Sequence, residues 1–293
     1  MRPDIVLVFT SGGSSLLEKG LMSKVAVLWG KPALIFPRSG IIMNQFPHSL
    51  IHRILIKLTL RNSTKLLCQG DAWHSFAVRE LKYDVSDAPI VHNWTATKDL
   101  LEIGENKINE SPNKRVRFLF LGWLEEKKGI FELLDACLHL KDKLSFRLVI
   151  AGKGQAELKA QEFVKKNKLS EFVKFAGWVD GVELETLFKN SDVLVLPSWA
   201  EGLPNAMIEA MAAGLAVVVS SVGNIPSVLT DGKNGLLIPP KNVKALTKAL
   251  HTIIDDPILL NSLAVNGHNL ARESFSIDQG VRKLESIFNE FRE

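Results

Sequence analysis

Short apolar runs alternate with longer amphipathic stretches along the second half of the chain. Residues 117–121, 146–151, 173–176, 193–197, 216–220 and 235–238 read as strands, with helical spacing between most of them. Such alternation predicts a parallel sheet with helices on both faces, whose ligands bind beyond the carboxyl ends of the strands. Gly122, Gly152, Ser198 to Glu201 and Gly223 all fall at such ends. Residues 257–273 and 276–292 read as two closing helices. The first half is less regular, with strands expected at 4–9, 32–36 and 65–68 and turns at 10–15 and 37–40. A polar stretch from Asn106 to Asn113 containing Pro112 reads as the join. The expected organisation is a first domain over 1–110, a second over 111–275, and a closing helix over 276–293.

Composition narrows this picture. A chain of 293 residues with 46% hydrophobic content suits two domains of ordinary size. It holds no run of eighteen uncharged apolar residues, so no membrane-spanning helix is expected. The opening apolar stretch is short and interrupted by Asp4, unlike a signal peptide, and a cytoplasmic location is the expectation. Cys68 and Cys137 are far apart in apolar surroundings and read as small buried hydrophobes.

The net charge of +4 is mild, but its distribution is not: eight basic residues and no acid lie between Lys19 and Gly70. Within that span Leu50 to Arg61 is strongly apolar, with Arg53, Lys57 and Arg61 four residues apart on one helical face. Two readings stand side by side, a basic amphipathic helix resting on an anionic membrane surface and an ordinary helix packed on the sheet with its polar side in solvent. Nucleic-acid binding is not expected, since aromatic residues are not interleaved with the basic run.

Candidate chemistry concentrates around Glu201 and Glu209. The run Val193 to Leu196 is a buried strand, Pro197 to Leu203 a loop, and Pro204 suits a first helical position because it lacks an N–H. The amides of Asn205 and Ala206 then head a helix whose dipole favours an anion such as a diphosphate. At about 1.5 Å per residue, Glu209 lies roughly 7 to 8 Å along the axis from Pro204, while Glu201 stays at the mouth. Other glycine patterns fail their tests. Gly152-Lys-Gly154 has Glu157 where a dinucleotide fingerprint needs a third small residue, and Gly122 to Gly129 lacks the Gly-Lys-Ser/Thr end of a P-loop. No His, Cys and Asp cluster shows metal-ligand spacing, so no metal is expected.

Several segments together carry a resemblance. They are Glu201-Gly-Leu-Pro followed four residues later by Glu209-Ala-Met-Ala, then Gly214, Gly223 and Asp231-Gly-Lys-Asn-Gly235, with Phe120 to Ile130 and Val149 to Gly154 upstream. From about Phe118 onward the chain resembles family 4 of the retaining glycosyltransferases, which have the GT-B fold of two Rossmann-like domains. The resemblance implies transfer of a sugar, as a hexosyltransferase, from a UDP- or GDP-linked donor to an acceptor in envelope polysaccharide or glycolipid synthesis, without a cofactor. It places Glu201 on the donor sugar, Glu209 on the ribose, and Lys128 on the diphosphate with the amides of Asn205 and Ala206. Gly122, Gly152 and the Leu203 loop would give close backbone approach, and the Trp178-Val179 backbone would hold the base. The Ile90 to Trp94 segment resembles the close of the family's first domain, and the last helix would cross back to that domain.

Two departures accompany the resemblance. Trp123 stands where the family carries arginine; Lys127 or Lys153 would have to replace its charge, and Trp123 itself reads as a packing residue, with base stacking as the alternative. The first domain is shorter than the family's, which implies that part of the acceptor side is missing, replaced, or supplied by a partner chain. Two other functions share this donor site. A sugar-nucleotide epimerase would need first-domain carboxylates, for which Asp4 and Glu18 are poor candidates. A non-catalytic relative, or half of a two-chain enzyme, would bind sugar nucleotide alone.

Overall fold

The computed structural model describes residues 4–11, 13–38, 42–43, 46, 49–109, 115–142 and 145–291. The chain divides into two compact units, residues 1–93 with 278–293, and residues 94–277.

The first unit is built on β1 (Val6–Thr10), α1 (Ser14–Leu28), β2 (Ala33–Pro37), α2 (Leu50–Leu60), β3 (Lys65–Leu66) and α3 (Asp71–Arg79). Its three strands lie parallel in the order β1-β2-β3. All five residues of β2 are buried, as a central strand covered on both faces requires. Their neighbours in the core include Val8, Ile56, Leu60, Leu66 and Trp73. Helices α1 and α2 meet at Gly20, where an added Cβ would come within 1.9 Å of the Thr59 side chain, so only glycine allows the approach. Gly12, in the turn expected at 10–15, and Ser39 and Gly40, in that at 37–40, lie outside the described residues.

Helix α2 has three faces rather than two. Ile56, Thr59 and Leu60 are buried, the Arg53 and Lys57 cations lie 5.3 and 5.6 Å from the Phe46 ring centre, and Leu50, Ile51, Ile54, Leu55 and Leu58 are exposed. The polar solvent side expected of an ordinary packed helix is therefore largely apolar. The cause is that apolar residues occupy more of the circumference than the core can cover. Helix α1 shows the same excess, with Leu17, Leu21, Met22, Val25 and Leu28 exposed, and Trp29 just beyond them.

In the second unit, α4 (Lys98–Lys107) is followed by β4 (Val116–Leu121), α5 (Ile130–Leu140), β5 (Phe146–Ala151), α6 (Glu157–Lys166), β6 (Val173–Gly177), α7 (Gly181–Lys189) and β7 (Val193–Leu196). Then come α8 (Asn205–Ala212), β8 (Ala216–Ser220), the short α9 (Ile225–Val228), β9 (Leu236–Ile238), α10 (Val243–Asp255) and α11 (Pro257–Ser274). The six strands are parallel in the order β6-β5-β4-β7-β8-β9. The chain winds outward one way from β4 to β6 and then restarts on the other side at β7. The junction of β4 and β7 is thus the topological switch point, where a doubly wound sheet opens a crevice at its carboxyl edge.

The boundary falls between Asn93 and Trp94, ahead of the residue 110 expected from the polar join. Leu100 and Ile103 of α4 are buried in the second core, and Asn106 and Lys107 belong to that helix, so the apolar face outweighs the polar stretch that follows it. Residues 110–114, which include the second half of the expected linker, lie outside the described residues, as does Arg292. Helix α12 (Ile277–Asn289) returns the chain to the first unit, where Glu290 pairs at 2.9 Å with Lys65, a side chain only 6% exposed.

Candidate functional site

The two loops at the switch point are stitched together by backbone. After β4 a short 3-10 turn at Glu126–Lys128 ends at Gly129, whose φ of 74° is left-handed. A Cβ there would come 2.1 Å from the Pro197 carbonyl oxygen, so glycine alone lets the β4 loop press against the end of β7. The Trp199 amide donates to the Lys127 carbonyl at 2.8 Å and completes the junction.

This junction brings Lys128 to Glu201. Lys128 Nζ donates to Glu201 Oε1 at 2.7 Å, and the two side chains are 23% and 11% exposed. Two residues singled out separately in the sequence thus form one partly buried ion pair at the crevice. Glu201 is braced from the other side. A Cβ on Gly223, at φ 59°, would lie 2.1 Å from the Glu201 carbonyl oxygen, and the Asn224 amide donates to the Gly202 carbonyl at 2.8 Å.

Helix α8 starts one residue later than expected. Pro204 is its N-cap, with φ −67° and ψ 125°, rather than its first residue, because the extended ψ carries the loop out of the helix. The Pro204 carbonyl accepts from Met207 and Ile208, so the amides at Asn205 and Ala206 head the helix. Leu203 buries its side chain in the core. Glu209 sits in the second turn, half-buried, and burial raises its carboxyl above the ordinary value of 4.5.

Elsewhere along the carboxyl edge, Gly122 and Gly152 take φ of 155° and 134° and hold the ends of β4 and β5 together; the Gly122 amide donates to Ala151 O at 3.1 Å. Val179 is half-buried against the core. Trp178 is 53% exposed, and Trp123, expected to pack, is 56% exposed with its ring against that of Trp178. Its backbone follows a strand end whose interior is already filled by Leu124, which is fully buried. Of the lysines considered as substitutes for an arginine, Lys127 pairs with Glu125 at 2.7 Å and Lys153 is exposed. Asp4 and Glu18 are solvent-facing, in ion pairs with Lys31 at 3.7 Å and Lys19 at 2.8 Å. Trp199 was not anticipated from sequence: its indole donates to Glu132 at 2.7 Å, and the Lys241 ammonium lies 4.1 Å from its ring centre.

The profile of the family described as Glycosyl transferases group 1 matches residues 104–270, more than half of the chain and all of the switch-point loops. The chain belongs to the glycosyl transferases group 1. Among relatives of known sequence, an uncharacterised glycosyltransferase of Methanocaldococcus jannaschii is 26% identical over 95% of this chain and 71% of its own. A putative colanic acid biosynthesis glycosyltransferase of Salmonella typhimurium is 30% identical over 61% and 46%. Two further Methanocaldococcus jannaschii glycosyltransferases are matched over only 60% and 44% of their lengths, so the chain spans about half of such relatives.

Solved structures agree with the architecture. The sucrose-phosphate synthase of Thermosynechococcus elongatus superposes with a TM-score of 0.78 at 21% identity, covering 97% of this chain and 73% of that one. The Anabaena protein HepE, solved with UDP-glucose, gives 0.76 at 16% identity over 97% and 78%. At these identities the likeness shows the fold, which is GT-B with two Rossmann-like units.

Proposed function

We propose that the second unit binds a nucleoside-diphosphate sugar, UDP- or GDP-linked, and transfers the sugar to an acceptor with retention of anomeric configuration. The observation that carries this reading is the Lys128–Glu201 ion pair at the switch point, beside the head of α8 and Glu209. An incoming diphosphate would take Lys128 from Glu201 and lie against the amides at Asn205 and Ala206. Glu201, released, would accept hydroxyls of the donor sugar, and Glu209 those of the ribose. Lys128 would then neutralise charge gathering on the leaving diphosphate, a preorganised electrostatic role. HepE, which binds UDP-glucose, shares the fold and supports the choice of donor class.

The acceptor is proposed to be lipid-linked and met at an anionic membrane surface, in envelope polysaccharide or glycolipid synthesis. Helix α2 supports this: an exposed apolar stripe bordered by Arg53, Lys57 and Arg61 suits an interfacial helix whose apolar residues enter the lipid while its cations meet headgroups. The named role of the Salmonella relative in colanic acid biosynthesis is consistent with it.

The test is incubation with UDP- and GDP-sugars, with and without lipid extract, and detection of free UDP or GDP by mass spectrometry. Release that depends on acceptor supports transfer. Binding without release under every condition would favour a non-catalytic relative, and an epimerised donor would favour an epimerase.

A further inference from the structure

Two tryptophans stand at the carboxyl edge of the second sheet with more than half of each side chain in solvent, 56% for Trp123 and 53% for Trp178. Each follows a glycine at a strand end, Gly122 after β4 and Gly177 in the last position of β6. Strand β5 lies between those two and is followed by Gly152. The Gly152 amide donates to the Gly177 carbonyl at 2.6 Å, so the three strand ends are drawn together as bare backbone. A Cβ built on Gly122 or Gly177 would meet nothing within 4 Å, which leaves open space over both.

The two rings touch across this gap, with centroids 5.4 Å apart and planes tilted by 49°. Because they are already in contact, no third ring fits between them. A planar ligand would instead stack on one outer face and meet the edge of the other ring. Trp178 is held for this, its indole N–H directed to Asp180 Oδ2 at 3.4 Å. The spacing also fits the donor. From β7, which leads into α8, to β5 is two strand steps, about 10 Å at roughly 4.8 Å each, a distance that a ribose carrying its base covers from a diphosphate held at Lys128 and α8.

Resting on the donor site proposed above, we infer that Trp123 and Trp178 form a stacking platform for the donor's nucleobase.

Calorimetric titration of UDP, GDP and inorganic pyrophosphate into the full chain tests this, using wild type, Trp123→Leu, Trp178→Leu, the two corresponding Phe variants and Glu209→Ala. Both residues are exposed, so the fold should survive, as far-UV circular dichroism will show. Each Leu variant is expected to bind UDP and GDP roughly 5- to 150-fold more weakly. Pyrophosphate affinity should not change, and the Phe variants should keep most of the nucleotide affinity. Wild-type affinity in both Leu variants, with Glu209→Ala weakened, would keep the donor site and remove the platform. An equal loss for pyrophosphate would overturn it too, making the tryptophans part of the phosphate site. If the wild type bound neither nucleotide, the donor reading itself would fall and the platform with it.

Discussion

Glu209 is placed where binding and stability pull in opposite directions. Its ribose role predicts that Glu209→Ala weakens UDP or GDP affinity by roughly 1 to 3 kcal/mol, the worth of charged hydrogen bonds, measured by calorimetry in a variant checked for folding. Burial raises its carboxyl above 4.5, so the folded chain holds this proton to higher pH than the unfolded chain. The sign follows from proton linkage: the cost is absent below 4.5, grows as pH rises, and is complete above the raised folded value. Glu209→Gln should therefore melt higher than wild type near neutral pH, with the gap closing on acidification, while binding nucleotide less tightly. Lys128→Ala should lose roughly 2 to 4 kcal/mol of transition-state stabilisation in kcat/KM, and turnover should survive EDTA. Activity lost to the chelator and restored by manganese would assign the electrostatic role to a metal instead. The Glu201 to Glu209 pattern was legible in the sequence because nine consecutive residues carry it. The Lys128–Glu201 and Trp123–Trp178 contacts were not, since each joins residues more than fifty positions apart and depends on which strands are neighbours.

Helix α2 was legible as a helix but not in its setting. Its apolar content and the four-residue spacing of its cations predicted the element, yet spacing alone does not say which arc of the circumference meets the core. The structure places Ile56, Thr59 and Leu60 there and leaves Leu50, Ile51, Ile54, Leu55 and Leu58 in solvent. Each cation near an anionic bilayer is worth about 1 kcal/mol, so three engaged residues amount to several kcal/mol. The chain should co-sediment with anionic but not neutral vesicles at low salt, and changing Arg53, Lys57 and Arg61 together to glutamine should weaken this. High salt should do the same, since the screening length shrinks from about 10 Å at 0.1 M to about 3 Å at 1 M. Equal sedimentation with both vesicle types would remove the membrane from the proposal. Likewise the join at residues 106–113 misled, because polarity after a helix resembles polarity of a linker until Leu100 and Ile103 are seen buried.

At the scale of the whole molecule, the first unit is discontinuous in sequence. Its sheet is made from the opening residues, but Lys65 of β3 meets Glu290, just past α12, and the carbonyl of Ser86. Desolvation lowers the Lys65 pKa, and hydrogen bonds to Glu290 and Asp87 more than reverse that. Glu290→Gln should lower the first unit's stability by about 1 kcal/mol, a modest figure because the carboxylate is half exposed. Calorimetry should show the shift in one of two unfolding transitions, leaving that of the second unit unchanged. The same discontinuity sets an order of events on the ribosome. At about 5–20 residues per second, the roughly 180 residues from Trp94 to Ile277 take on the order of ten to forty seconds to emerge. The first unit thus begins to emerge before the second and is finished after it, and for that interval Lys65 of β3 stands in a nascent polypeptide without the carboxylate of Glu290.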